Sequence, residues 1–203
     1  MVEGNKVYEI REPGIGDPAG FAAGGFALTT FVLSVVNAGL VSPSVMGVFI
    51  PLALVYGGFA QLLGGMWEIK KGNTFGATVF TSFGSFWIAF ALMFLFEGAK
   101  ILNFGNYGNV ALGLVLLAWT IFSIYMTIAS FRVGVLMSIL FILLLITLIP
   151  LMIGAFTGSE AAVHVAGYAG IVLALAAWYL SAACVINSVT GREVLSVGAF
   201  KKN

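Results

Sequence analysis

The chain has 203 residues, 61% of them hydrophobic and only 8% charged. A soluble domain carries about 25% charged residues, so too few charges remain here to cover a globular surface, and the mean hydropathy of +1.09 points to a bilayer as solvent. A formal net charge of +1 gives no basic face for nucleic acid, and a lone cysteine, Cys184, excludes both an intrachain disulfide and a cysteine metal cluster.

Residues 1–19 form a polar arm with Lys6, Arg11 and three glutamates, and hold none of the apolar core of a secretory signal. Six stretches then reach the roughly 20 apolar residues needed to cross about 30 Å of hydrocarbon. They run over 20–41, 46–67, 74–96, 109–131, 133–155 and 162–187. Asp17 followed by Pro18 reads as an N-cap and first helical residue for the first span. Ser42-Pro43-Ser44 marks a turn between spans one and two, and Lys70-Lys71-Gly72-Asn73 ends span two with Asn73 as cap for span three. Thr157-Gly158-Ser159 separates spans five and six, while Pro51 and Pro150 are expected near helix ends. The reading is an all-α integral membrane protein: a six-helix bundle over 20–190, a cytoplasmic arm over 1–19 and a cytoplasmic tail over 191–203.

Charge sets the orientation. With the N-terminus inside, the cytoplasmic segments hold Lys6, Arg11, Lys70, Lys71, Arg132, Arg192, Lys201 and Lys202, and the outer loops hold only Lys100. Cytoplasmic loops of membrane proteins carry the excess of Lys and Arg. The same split favours an even number of spans, with both termini at the cytoplasmic face of the cell membrane.

Within the spans there is no row of arginines for a voltage sensor and no chain of carboxylates for a pump. One histidine and one cysteine supply no catalytic metal set, no metal or cofactor is expected, and no nucleophile motif accompanies His164. An enzyme is therefore not the expected class. Hydroxyls and amides are what the interior does offer. Thr30, Ser34 and Asn37 share one face of span one, with Thr29 beside them; Tyr56 and Gln61 lie in span two. Span three carries Thr78, Thr81, Ser82 and Ser85, and span four carries Thr120, Ser123, Thr127 and Ser130. Helix packing is the commoner role of any single such Ser or Thr. Asn37 and Gln61 are costlier to bury and need a partner helix, water or a solute. Glycines in spans one and two, among them Gly24, Gly25, Gly57, Gly58 and Gly64, read as sites of close helix approach. Phe26, Phe83, Phe86, Trp87 and Trp119 are candidates for an aromatic wall along an uncharged path. Such a path suits a small neutral or weakly anionic solute better than a metal cation.

Several blocks resemble one known family in order and spacing. They are Asp17-Pro18-Ala19 through Gly25-Phe26-Ala27-Leu28-Thr29-Thr30, Val36 to Gly39, Tyr56 to Gly65, Glu68 to Gly76, Phe80 to Trp87 and His164 to Gly170. The chain is similar in these to the acetate uptake transporter family, which includes the succinate–acetate permeases. The resemblance implies a six-helix protomer assembled as a homo-hexamer and passing acetate, related small monocarboxylates or succinate. It also implies a narrow path in each protomer, pinched at positions that fall on Phe26, Phe83 and Leu144. Three residues depart from the family pattern: Asp17 replaces an Asn, Gly20 a Pro, and Phe83 a Tyr, so the pinch loses its hydroxyl and becomes wholly apolar. Phe83 also lies about 140° around an ideal helix from Thr78, so Phe83 and the hydroxyl row cannot both face one path.

A carboxylic acid of this kind titrates at about 4–5, so the anion dominates near neutral pH. No buried cation awaits it. Thr29, Asn37, Gln61 and helix N-termini are the expected donors. An apolar ring is a desolvation barrier that the protonated acid crosses more easily, so a proton is expected to accompany net uptake. Glu68 and His164 are the groups near the path ends that could handle it. A channel for urea or an amide, and a membrane protein of assembly or sensing that passes no solute, remain alternatives.

Overall fold

The structure is a computed structural model and describes residues 14–198. Lys6, Arg11, Lys201, Lys202 and most of the N-terminal arm lie outside the described residues. The regular structure within them is helical: α1 (Ala19–Asn37), α2 (Phe49–Leu54), α3 (Gln61–Lys70), α4 (Thr74–Gly98), α5 (Gly108–Ser130), α6 (Val135–Thr157) and α7 (Glu160–Thr190). Span two is composite. It opens with a 3-10 turn over Pro43–Val48, continues through α2, passes a π-helical turn over Val55–Ala60, and finishes with α3. Six helical segments are thus long and apolar enough to cross a membrane.

The boundaries follow local chemistry. Pro18 takes the N-cap position of α1 expected for Asp17, whose Oδ1 accepts from the Ala19 amide at 3.0 Å from one residue further back. Asn73 Oδ1 accepts from the Gly76 amide at 3.1 Å at the start of α4. Ser159 Oγ accepts from the Ala162 amide at 3.3 Å and starts α7 earlier than the expected residue 162. Helix α1 stops at Asn37 and not at residue 41, although apolar residues continue, because Gly39 adopts a left-handed φ of +71° that no α-helix contains. Gly158 and Gly191 end α6 and α7 in the same way. Pro150 sits inside α6, further from its end than the sequence pattern indicates.

The spans close a ring. Helix α1 packs on α7, α7 on α6 and α6 on α5, while α1 also packs on span two and span two on α4. Small residues make the approaches possible: a Cβ at Gly84 of α4 would lie 2.6 Å from the Leu62 amide nitrogen of span two, and one at Gly64 would lie 2.7 Å from Ala22 of α1. Between α4 and α5 the joint is different. Large aromatic side chains make it, with Phe83 against Trp119 at 5.4 Å and Phe122 at 5.6 Å, and Phe86 against Trp119 at 5.0 Å between ring centroids.

Lys71 Nζ lies 3.0 Å from Asp17, which sets the loop after span two beside the start of α1. The C-terminal segment folds back over the same end. Asn187 Oδ1 accepts from the Val194 and Leu195 amides, and its Nδ2 donates to Leu195 O at 2.8 Å. The Gly198 carbonyl then accepts from the Val135 amide at 2.9 Å, satisfying an orphan donor of the first turn of α6.

Five of the eight hydroxyls in the rows of spans three and four, those of Thr78, Thr81, Thr120, Thr127 and Ser130, bond back to their own helices. Thr120, Thr127 and Ser130 donate to backbone carbonyls within α5, and Ser138 of α6 donates to Ser130 O at 3.1 Å. Thr78, Thr81 and Ser82 border a shallow pocket with Ile69 and Gly72, whereas Phe80, Phe83, Phe86 and Trp87 face the middle of the ring. The angular conflict in α4 is resolved by two separate faces.

Candidate functional site

Two small cavities, each of about 50 Å³, lie inside the ring. Gln61 is the polar residue on the wall of the first, among Ala23, Phe80, Leu140 and other apolar side chains. The second has a more polar wall, with Thr30, Ser34, Asn37, Trp87 and Thr147. Four side chains belong to both walls: Phe26, Phe83, Leu144 and Leu173. They come from α1, α4, α6 and α7, so the partition between the cavities is built from four helices. Phe26 and Phe83 meet edge to face with centroids 5.6 Å apart. Phe83, Leu144 and Leu173 are buried. A partition of this composition offers water no hydrogen bond.

The sequence-derived candidates separate into two groups. Phe26, Phe83, Leu144, Thr30, Ser34, Asn37 and Gln61 converge on the cavities. Thr29, Tyr56, Glu68 and His164 are on neither wall. The Thr29 hydroxyl donates to Gly25 O at 3.0 Å and presses on Gly57, which turns it toward span two. Tyr56 lies in the π-helical turn with its side chain over Gly24 and Gly25 of α1. Glu68 is 1% exposed and clamps a loop: its Oε2 accepts from Asn73 Nδ2 at 2.8 Å and its Oε1 lies 3.8 Å from Lys71 Nζ. His164 is exposed at the opposite end of the bundle and covers the Gly39 turn. Thr29 is therefore spent on helix packing, and Glu68 and His164 sit at the bundle ends without reaching the cavities.

Several wall residues escape the sequence reading, Thr147 and Leu173 among them. Thr147 is three residues after Leu144, one helical turn along the same face, and that spacing is the signal that marks it. Leu173 stands in a stretch apolar on all sides, so no periodicity distinguishes it. Among the described residues, three of the four buried side-chain polar atoms without a hydrogen-bond partner belong to wall residues: Thr30 Oγ1, Gln61 Oε1 and Trp87 Nε1, the fourth being Ser123 Oγ. No group of three or more His, Cys, Asp or Glu able to hold a metal occurs among the described residues.

Residues 4–198, nearly the whole chain, match the GPR1/FUN34/yaaH family. The chain belongs to that family. It is 33% identical to the succinate-acetate/proton symporter SatP of Escherichia coli, over 91% of this chain and 96% of that protein. It is 36% identical to acetate permease A of Emericella nidulans, over 96% of this chain and 69% of the permease. Ammonia transport outward protein 2 of Saccharomyces cerevisiae is 37% identical over 80% of this chain, which spans 59% of that relative's length. Among solved structures, that of the bacterial acetate channel SatP superposes with a TM-score of 0.85 at 33% identity, covering 91% of this chain and all of the channel's. The fold is thus shared with the solved structure of the bacterial acetate channel SatP, and the six apolar helices make this chain an all-helical membrane protein.

Proposed function

We propose that this chain passes acetate and related small monocarboxylates, with succinate a further candidate, through the centre of each protomer. The observation that carries the reading is the apolar partition: Phe26, Phe83 and Leu144, with Leu173 added by the structure, are the wall that two adjacent cavities inside the ring share. An apolar constriction of this kind blocks by excluding water and opens on wetting. An acetate ion must shed its hydration there, and the protonated acid sheds far less, so net uptake carries a proton with the solute. The names of the bacterial and fungal relatives support the substrate class. A protein whose chemistry is passage makes no covalent bond, and no catalytic group is assigned.

The same reading has the protomer in the cell membrane with both termini cytoplasmic, and six protomers in the assembly on the strength of the family resemblance. The cation split supports the orientation, as does the location of the loop at Lys71, the turn at Arg132 and the tail near Gly198 at one end of the bundle.

Labelled acetate uptake into proteoliposomes, with and without an imposed inward proton gradient, tests the proposal. Saturable uptake that the gradient increases is expected. No acetate flux from well-folded protein would remove the reading. The uncharged walls and the relative named for ammonia transport favour one second reading, a path for a small neutral solute. It requires flux of urea, an amide or ammonia that acetate does not inhibit.

A further inference from the structure

A second pair of aromatic rings meets inside the bundle, away from the partition. Phe75 is the second residue of α4 and Phe141 the seventh of α6. Both helices start at the end of the bundle that holds the loop at Lys71 and the turn at Arg132. Helices α4 and α6 are not neighbours in the ring, yet these two side chains meet edge to face with centroids 5.7 Å apart. Phe141 is 3% exposed and stands on the wall of the first cavity, so the meeting takes place inside the ring.

Register gives the level of the pair. Phe75, Val79 and Phe83 recur every four residues along one face of α4; Val79 lines the first cavity and Phe83 belongs to the partition. Phe75 is thus about 12 Å of helix axis from Phe83, toward the cytoplasmic end. Phe141 precedes Leu144 of the partition by one turn of α6, in the same direction. The partition therefore bounds the first cavity on one side, and Phe75 and Phe141 narrow the way out of it on the other.

The two apolar crossings differ in how they can move. Phe83 packs against four other aromatic rings, those of Phe26, Phe86, Trp119 and Phe122. Phe75 is half-buried and, among the described residues, meets the ring of Phe141 alone. Its backbone is anchored: Asn73 Oδ1 accepts from the Gly76 amide, and Asn73 Nδ2 donates to Glu68 Oε2 at 2.8 Å. A ring with one edge contact on a fixed backbone changes place by turning between rotamers, without the movement of a helix.

Resting on the proposed passage through the ring, we propose that Phe75 and Phe141 form a second constriction, a side-chain gate between the first cavity and the cytoplasm that opens separately from the partition. The width of a solute is then tested twice, once at a crossing locked into the core and once at a crossing that one side chain can open.

Ala177 supplies a reporter. It is 2% exposed and lines the first cavity, one turn of α7 from Leu173. In full-length Cys184→Ser, Ala177→Cys protein, reaction with the small cation of ethylammonium methanethiosulfonate is timed in inverted vesicles, where the reagent meets the cytoplasmic face. Phe75→Ala, and the milder Phe141→Leu, should each speed the reaction about tenfold or more by admitting water past the apolar pair. Phe83→Ala should leave that rate unchanged, and in right-side-out vesicles it alone should raise the rate. A cytoplasmic-side rate that either Phe75→Ala or Phe141→Leu leaves unchanged overturns the second constriction, as does equal acceleration by Phe83→Ala. Ser123→Cys, in a position buried outside both cavities, replaces Ala177→Cys as a control and should stay slow in both variants. Acceleration there as large as at Ala177 also overturns the gate, because a loosened bundle and not a turned ring then admits the reagent. Labelling requires no transport, so wild-type protein that passes no acetate removes the passage of acetate and leaves the labelling result to decide the gate.

Discussion

Phe83 has two roles that pull a substitution in different directions. It forms part of the partition, and it also packs against Phe26, Phe86, Trp119 and Phe122. Phe83→Ala should therefore cost about 3–5 kcal/mol of stability, as other large-to-small core changes do. In the protein that still assembles it should raise acetate flux per molecule, because the two cavities merge. A melting curve beside flux normalised to assembled protein checks both signs, and lower flux per assembled molecule removes Phe83 from the constriction. Phe83→Tyr nearly conserves volume and should melt within a few degrees of the wild type. Glu68 presents the opposite case. Glu68→Ala removes the acceptor of Asn73 Nδ2 and the farther of the two carboxylates beside Lys71, so a loss of about 1–3 kcal/mol is expected with the half-saturation for acetate unchanged. A changed half-saturation would put Glu68 back on the path. The polar face Thr30, Ser34, Asn37 is visible in the sequence because helical spacing alone aligns it. Thr29, its neighbour, shows the limit of that method: one residue is about 100° of rotation, and only the position of span two decides which of two adjacent threonines meets a cavity.

At the scale of elements, glycine governs the ring. Gly84 meets the backbone of span two, so a side chain there must move a whole helix and not a flexible neighbour. Gly84→Ala is expected to lose about 1–3 kcal/mol and to lower the yield of assembled protein, which thermal unfolding in detergent would measure. The ends of the helices were legible wherever a cap carried them, as at Asn73 and Gly158, because a side-chain acceptor or a left-handed glycine is a local property. The π-helical turn at Val55–Ala60 was not legible. Its wider turn depends on how α1 and α4 grip Gly57 and Gly58 from two sides, and adjacent glycines in sequence state only that something comes close. The segment at 194–198 was equally silent: Asn187 gives no sign in the sequence that its amide holds Val194 and Leu195.

For the whole molecule, the cation pattern and the folded ends make one claim about topology. In a Cys184→Ser background, Lys100→Cys and Ser159→Cys should react with an impermeant thiol reagent applied outside intact cells, and Arg192→Cys should not. Labelling of Arg192→Cys from outside would overturn the proposed orientation. The count of spans needed only hydropathy and length, since the bilayer imposes both. Which spans become neighbours did not follow from either. The ring order is set by small-residue contacts between distant segments, such as Gly167 of α7 against Ala38 at the end of α1, and one-dimensional periodicity carries no record of partners.

The aromatic joint between α4 and α5 constrains how such a protein can diversify. Five joints of the ring are helix-to-helix contacts, and at the sixth large rings stand in for that approach, with Phe83 as a shared member of joint and partition. Any drift at position 83 that widened the way for a bulkier acid would also loosen the bundle along that line. Small residues there are penalised by folding before transport is ever tested, and polar ones by burial. The accessible exchange is between aromatics of nearly equal bulk, so a lineage can adjust the chemistry of this position while its width stays locked to the stability of the fold.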